Sequence, residues 1–523
     1  MTSVDTGSVT LSSLTDAERN ARFDRLQSRL PAVWAAMQHD LEDESVVVIP
    51  SLAVGTTVTA ASLIQAYEER FLFLLLLLRQ PMLRMTYVTS QPIDPRIIEY
   101  YLALLPGVIP SHALARLTLI SIGDGTPRPL SEKLLERPRV LARIARSIPD
   151  RRRSHLIPYS TTEGERDLAL VLGIPMYGAD HRLAGLGTKS GCRRLFREVG
   201  VPHPLGAEDL RTRDDVVRAI EGVLDEKPTV RQMILKLDEG VSGSGNALVD
   251  LAGVAERAGE ARRAAIVRAV ESMQPELETL TPAAMLEALE TRHGIVEERI
   301  TGGEILSPSV QLRVLPDRTI ELLSTHDQLL GGPSGQSYLG CVFPADPAYS
   351  RLISEPALAI ARRLADSGVV GRFALDFVVV RDHGGQWSPW AIELNLRKGG
   401  TTHPFLTLQF LTDGRYDGED GAFITPDGAR RHLVATDHLE GEDLRALSVG
   451  DLFDAVARHS LHFDRARQEG IVFHMISSIT EHGRLGMTAV GESRERAMDL
   501  YERAAGVLLD EARRARSEHA LPH

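Results

Sequence analysis

Two short apolar runs carry carboxylates where a buried strand has no ordinary use for them. Residues 373–380 read Phe-Ala-Leu-Asp-Phe-Val-Val-Val, with Asp376 in the middle, and residues 391–396 read Ala-Ile-Glu-Leu-Asn-Leu. Both have the composition of strands. Glu393 and Asn395 are two residues apart, so on a strand they share a face. Burying such groups without partners costs several kcal/mol. Any fold for this chain must therefore set these strands beside a polar cleft or leave them as a solvent-facing edge. In a cleft, the three side chains are hard oxygen ligands suited to Mg²⁺ bridging nucleotide phosphates.

The flanking residues carry related chemistry. Arg397-Lys398-Gly399-Gly400-Thr401-Thr402-His403-Pro404 follows the second run directly. It gathers cations, glycines and hydroxyls where an anionic substrate or a transferring phosphoryl group needs neutralising, although a loop without that role is the alternative. Upstream, residues 238–245 (Asp-Glu-Gly-Val-Ser-Gly-Ser-Gly) lie between two strand-like runs, with Lys236 at the end of the first. Backbone N–H groups of Ser242, Gly243, Ser244 and Gly245 can close around a phosphate, and the lysine adds a point charge. A plain hairpin turn explains the loop equally well. It is not a Walker P-loop, and Gly187-Thr188-Lys189-Ser190 misses that pattern because threonine separates glycine from lysine. In Val296-Glu297-Glu298-Arg299-Ile300-Thr301-Gly302-Gly303-Glu304, acids at a strand end can accept from an adenine amino group and from ribose hydroxyls. Such strand ends also occur without ligands.

The chain has 523 residues, enough for about three domains. Strand-like runs at 46–49, 85–89 and 117–122 alternate with helical ones, which predicts an α/β layer with a parallel sheet. The arginine-rich stretch 137–153, with Pro149-Asp150, marks a boundary. The sequence ends in a helix–hairpin–helix pattern, its turn at Glu481-His482-Gly483. With 59 basic against 71 acidic residues, the net charge of −12 disfavours nucleic acid or anionic membrane as partner. Cys192 and Cys341 are the only cysteines, too few for a disulfide framework, and read as packing residues. The longest apolar run, 71–78, falls short of the roughly 20 residues of a membrane span. The N-terminus is polar, with no apolar signal core, so the expected location is cytoplasmic.

In order, these pieces resemble the ATP-grasp ligases over about Thr188 to His403. The resemblance implies an α/β multidomain fold. Residues 1–155 would be an N-terminal helix and α/β pre-ATP-grasp domain. Residues 156–430 would be the ATP-grasp domain, two α+β subdomains clamping ATP, and 431–523 a small C-terminal α+β domain. Lys189 and Lys236 would be the ATP lysines, 242–245 the phosphate loop, Glu297 the acid near adenine, Arg299 and Ile300 its backbone contacts, and Glu304 the ribose acid. Asp376, Glu393 and Asn395 would hold Mg²⁺. Arg397 matches the arginine of an E-x-N-x-R form. Many members place an arginine two residues before the first metal acid. Here that position is Ala374 and Arg372 lies four before, so both Arg397 and Arg372 are candidates for the phosphoryl or oxyanion. His403 is a candidate base, with a structural role as the alternative.

A closer resemblance, to the pheganomycin-type peptide ligases, rests on Tyr87-Val88-Thr89-Ser90-Gln91-Pro92, on the run from Glu393 to Phe405, and on Phe473-His474-Met475-Ile476-Ser477-Ser478 with Gly483-Arg484-Leu485-Gly486-Met487-Thr488-Ala489. It implies an ADP-forming carboxylate–amine ligase making a peptide-like bond through an acyl phosphate in natural-product biosynthesis. Its partners would be a small amino or amidino acid and an amine or peptide acceptor. The alternatives are a thiol acceptor, a phosphotransferase, or an ATP-binding regulator without catalysis. The flanking blocks are candidates for shaping the acceptor site or a homodimer interface.

Overall fold

The computed structural model describes residues 11–38, 44–52, 61–240, 245–254, 256–277, 279–331 and 337–519. The first layer is a parallel sheet of β1 (Glu44–Ile49), β2 (Leu83–Thr89), β3 (Leu117–Ser121) and β4 (Ser154–Pro158), in the order β3-β2-β1-β4. Parallel sheets are covered on both faces, and every residue of β1 is buried. Helices Asp16–Gln27, Pro138–Arg146 and Glu163–Leu172 pack on one face. Helix Pro95–Ala103 and the segment Arg70–Arg79 pack on the other. The first helix starts at the capping box formed by Thr15 and Glu18. The core of this layer takes in Leu168, Leu172 and Met176, so its packing reaches past the join expected at 155. The apolar segment before β2 is α-helical over Ala61–Glu69 and continues as a 3₁₀ helix, Arg70–Arg79.

The second layer is a small antiparallel sheet. Its strands are β5 (Gly206–Leu210), β6 (Gln232–Leu237), β7 (Asn246–Asp250), β8 (Gln274–Pro275) and β9 (Gly294–Glu298), in the order β5-β9-β6-β7-β8. Helices Arg213–Glu226, Gly259–Glu271 and Pro282–Arg292 close its core.

The third layer is a nine-stranded sheet. It contains β10 (Glu304–Leu306), β11 (Pro308–Val314), β12 (Ile320–Gly331), β13 (Ser337–Phe343), β14 (Gly371–Arg381) and β15 (Trp387–Asn395). A two-stranded ribbon, β16 (Arg415–Asp417) with β17 (Ala422–Ile424), precedes β18 (His432–Glu440), β19 (Gly470–His474) and β20 (Arg484–Gly491). The order is β10-β14-β11-β12-β13-β18-β20-β19, with β15 on β14. The C-terminal strands thus extend the central sheet through the β13–β18 pairing. The expected hairpin is β19–β20; Gly483, at φ +60°, ends the short helix between its strands. Helix Pro347–Asp366 packs against β11 and β14. Helix Arg494–His519 packs into the core shared by the first and C-terminal layers. Among the described residues, no helix is long and apolar enough to cross a membrane.

Candidate active site

The layers meet around a cavity of about 520 Å³. Strands β14 and β15 form one wall. Asp376 lies directly opposite Glu393, and Ala374 opposite Asn395, so the three polar side chains share a face. All three line the cavity. Asp376 accepts from Asn395 Nδ2 at 2.9 Å and from Gln328 Nε2 at 2.8 Å. Burial, and then the neighbouring Glu393 charge, raise the Asp376 carboxyl above the ordinary carboxylate range. Burial also pushes Glu393 upward, but the Lys189 ammonium outweighs it and holds Glu393 low. Two carboxylates and an amide oxygen facing one another form a donor set that fits a hard divalent cation.

Lys189 reaches this wall from helix Lys189–Val199. Thr188 caps that helix by accepting from the Gly191 N–H, and Gly200, at φ +76°, ends it. The buried Lys189 ammonium pairs with Glu393 Oε1. Its own backbone N–H donates to Asp238 O at 3.2 Å, and the Ser190 N–H to Asp238 Oδ1 at 2.8 Å. The helix start is thereby tied to the segment preceding the glycine-rich loop.

The opposite wall comes from the small sheet. Lys236 Nζ lies 2.6 Å from Glu297 Oε1, and Arg193 Nη1 donates to Glu297 Oε2 at 3.0 Å. The three side chains are 2–6% exposed and form one ionic triad. Arg193 carries no motif and was not legible in the sequence. Glu297, expected near adenine, has both oxygens engaged by these cations. Arg299 and Ile300 line the same wall, and Arg299 donates to Gln232 Oε1 at 2.9 Å.

Arg397, at the end of β15, also faces the cavity. Its guanidinium donates to Tyr159 Oη at 3.5 Å and the Lys398 carbonyl at 3.1 Å, and lies over the Tyr159 ring. No carboxylate holds it in an ion pair among the described residues. Other expected residues lie elsewhere. Arg372 lines a separate cavity, because four strand residues put it about 13 Å along β14 from Asp376. Glu304 is exposed, 3.4 Å from Arg381, and does not line the cavity. Gly245 donates no wall group but continues the backbone from the loop, its carbonyl accepting from the Leu237 N–H at 2.9 Å. Ser242, Gly243 and Ser244 fall outside the described residues.

His403 is 5% exposed, within a buried network at the far end of the cavity. Arg70 Nε donates to its Nδ1 at 3.0 Å, and its Nε2 faces His474 Nε2 at 2.9 Å. Asp437 lies 2.8 Å from His474 Nε2 and 2.6 Å from Arg70 Nη2. His403, Asp437 and His474 have the spacing of a metal trio. Yet the Arg70 N–H on Nδ1 puts the His403 proton on Nε2, where a metal would need a lone pair, and Arg70 already neutralises Asp437. Burial, His474 and Arg70 all keep His403 neutral far below its ordinary pKa. The network therefore joins the 3₁₀ segment, helix Thr402–Thr412 and the C-terminal strands, and His403 does not line the cavity. Arg70 and Asp437 do line it. Asp437, a carboxylate inside the apolar run of β18, could have been found by the rule that singled out Asp376.

Comparison with known proteins agrees with this architecture. An IQCH-like ATP-grasp family model matches residues 183–276 and 280–419, and a PGM1 C-terminal domain model matches residues 451–504. Over residues 183–276 and 280–419 the chain is similar to the ATP-grasp family. Its fold resembles biotin carboxylase from Campylobacter jejuni, with a TM-score of 0.52 at 13% identity, covering 89% of this chain and 91% of that one. It also resembles N5-carboxyaminoimidazole synthetase from Staphylococcus aureus, with a TM-score of 0.51 at 10% identity, covering 89% and 98%. Among curated proteins, this chain is similar to an L-propargylglycine–L-glutamate ligase of Streptantibioticus cattleyicolor, 29% identical over 451 residues, 84% of this chain and 89% of the relative. It is also 22% identical to IQ motif-containing protein H of Danio rerio, over 83% of this chain and 45% of that protein.

Proposed function

We propose that this protein is an ADP-forming ligase that joins the carboxylate of one small amino acid to the amine of another, as the pheganomycin-type peptide ligases do. The observation that carries the reading is the wall of Asp376, Glu393 and Asn395 in one cavity with Arg397, Glu393 being paired with the buried Lys189. The similarity to an L-propargylglycine–L-glutamate ligase supports the amino-acid substrate class and a place in natural-product biosynthesis.

A carboxylate is a poor electrophile at neutral pH. Transfer of the γ-phosphoryl group of ATP to a carboxylate oxygen releases ADP and gives an acyl phosphate. The amine nitrogen then attacks the acyl carbon, phosphate leaves with the C–O bonding pair, and the nitrogen gives up a proton. Asp376, Glu393 and Asn395 would hold Mg²⁺, which supplies charge neutralisation to the phosphates. Lys189 and Lys236 bring cations to the nucleotide side of the cavity. Arg397 is positioned to stabilise negative charge on the transferring group or the tetrahedral oxyanion. The backbone of Arg299 and Ile300 would edge the adenine pocket, while Glu297 acts through Lys236 and Arg193.

The test is incubation of the full chain with ATP, Mg²⁺ and pairs of amino acids, followed by mass spectrometry. The reading predicts a dipeptide with one ADP per bond. ATP binding with neither product nor ADP, across amine and thiol acceptors, would favour a nucleotide-binding regulator instead.

A further inference from the structure

A second cavity, of about 410 Å³, lies between the N-terminal parallel sheet, the Arg372 end of β14 and helix Thr402–Thr412. Its size is that of a small-molecule site. One side is apolar, with Val46, Leu74, Ile157, Leu406 and Phe410. The other gathers Arg313, Arg372, Lys398 and His155.

These cations are poorly matched. Arg313 pairs with Glu321. The Arg372 side chain has neither a hydrogen bond nor an ion pair among the described residues, although the Glu321 charge acts on it without direct contact. Lys398 donates to the Pro158 carbonyl at 2.7 Å and meets no carboxylate among the described residues. His155 is 2% exposed, and its Nδ1 has no hydrogen-bond partner among the described residues. Burial, then Arg313, lowers Arg372 to about 10; burial, then Arg372, lowers Lys398 to about 7. Lys398 is buried and Arg372 is partly buried, and a cation held away from water without a paired counter-charge is costly.

We infer that this cavity binds a carboxylate with an apolar body, its carboxylate held by Arg372 and Lys398 and its body against Leu74 and Phe410. The planar guanidinium matches a carboxylate in two parallel hydrogen bonds. The apolar wall gives inorganic phosphate nothing comparable. Arg397 faces the first cavity and Lys398 the second, so adjacent residues form a wall between two separate sites.

The test is titration calorimetry of the full chain with hexanoate, alongside inorganic phosphate and hexylamine. Hexanoate is expected to bind one site per chain, with both controls much weaker. Arg372→Met and Lys398→Met should each weaken hexanoate about tenfold or more, the loss of one charge-assisted contact. Both variants should melt no lower than the parent, because each removes an uncompensated cation. Arg397→Gln should leave the isotherm in place. The inference is overturned if hexanoate does not bind, if phosphate binds as tightly, or if binding survives Arg372→Met and is lost in Arg397→Gln. The last result would put the carboxylate in the first cavity.

Discussion

The two cavities are similar in size, about 520 and 410 Å³, and opposite in electrostatic design. In the first, buried charges are cross-matched: Lys189 with Glu393, and Lys236 and Arg193 with Glu297. Its working groups are held in geometry before any ligand arrives. In the second, neither Arg372 nor Lys398 is ion-paired among the described residues, and the lining carboxylate, Asp413, is paired with Arg79. Matched charges fix positions and make removal of one partner expensive. Unmatched charges cost stability until a ligand supplies the counter-charge. The same kind of substitution should therefore have opposite consequences in the two places.

The largest effect is expected at Glu393. Glu393→Gln removes one charge of the proposed metal face and the partner of Lys189, and should lower ligase turnover by at least about 10²–10³-fold, the scale of losing a preorganised electrostatic group. Steady-state ADP release measures it, with circular dichroism to establish that the fold persists. Unchanged turnover would sink the metal assignment.

Next is Arg193→Met, which leaves Glu297 with half its neutralisation and should cost about 3–5 kcal/mol of stability, the penalty of breaking a buried ion pair. Denaturant unfolding reads this. A loss within error would mean that the triad is not energetically coupled. Arg372→Met sharpens the contrast, since it should raise the melting temperature by a few degrees. A drop comparable to that of Arg193→Met would erase the distinction between the cavities.

Two pH effects follow, both smaller. Asp376 is raised by burial and by Glu393, so a proton competes with a bound cation at higher pH than at an ordinary carboxylate near 4. Affinity for MgADP should fall as pH drops through that raised value. In Glu393→Gln, with the like charge gone, the residual pH dependence should begin at lower pH. Lys398 is lowered to about 7 from 10.5, so between those values the unfolded chain binds more protons than the folded one. Its contribution makes stability rise with pH across that window. Lys398→Met should flatten the rise, as should saturating hexanoate in the parent; a slope unchanged in Lys398→Met would contradict the depressed value.

Much of this was legible in the sequence, for a definable reason. Asp376, Glu393 and Asn395 stand out because carboxylates inside apolar strands demand explanation, and two-residue spacing fixes the face. The parallel N-terminal sheet and the C-terminal hairpin followed from pattern. Arg372 did not, since spacing on a strand gives its face and not which cavity lies above each end. Glu304 is exposed on the short strand β10, against Arg381, which no local pattern records. Arg193, Gln328 and Arg70 act through partners 48 to 367 residues away. Such contacts exist only once the layers are assembled. The pairing of β13 with β18, which merges the C-terminal strands into the central sheet, is non-local in the same way.

The central claim is that the first cavity activates a carboxylate as an acyl phosphate. Its most direct test is a hydroxylamine trap with ATP, Mg²⁺ and pooled amino and amidino acids, read by mass spectrometry for hydroxamate and for ADP or AMP. The account predicts a hydroxamate formed with ADP, dependent on Glu393. A hydroxamate formed with AMP would show adenylation and contradict it.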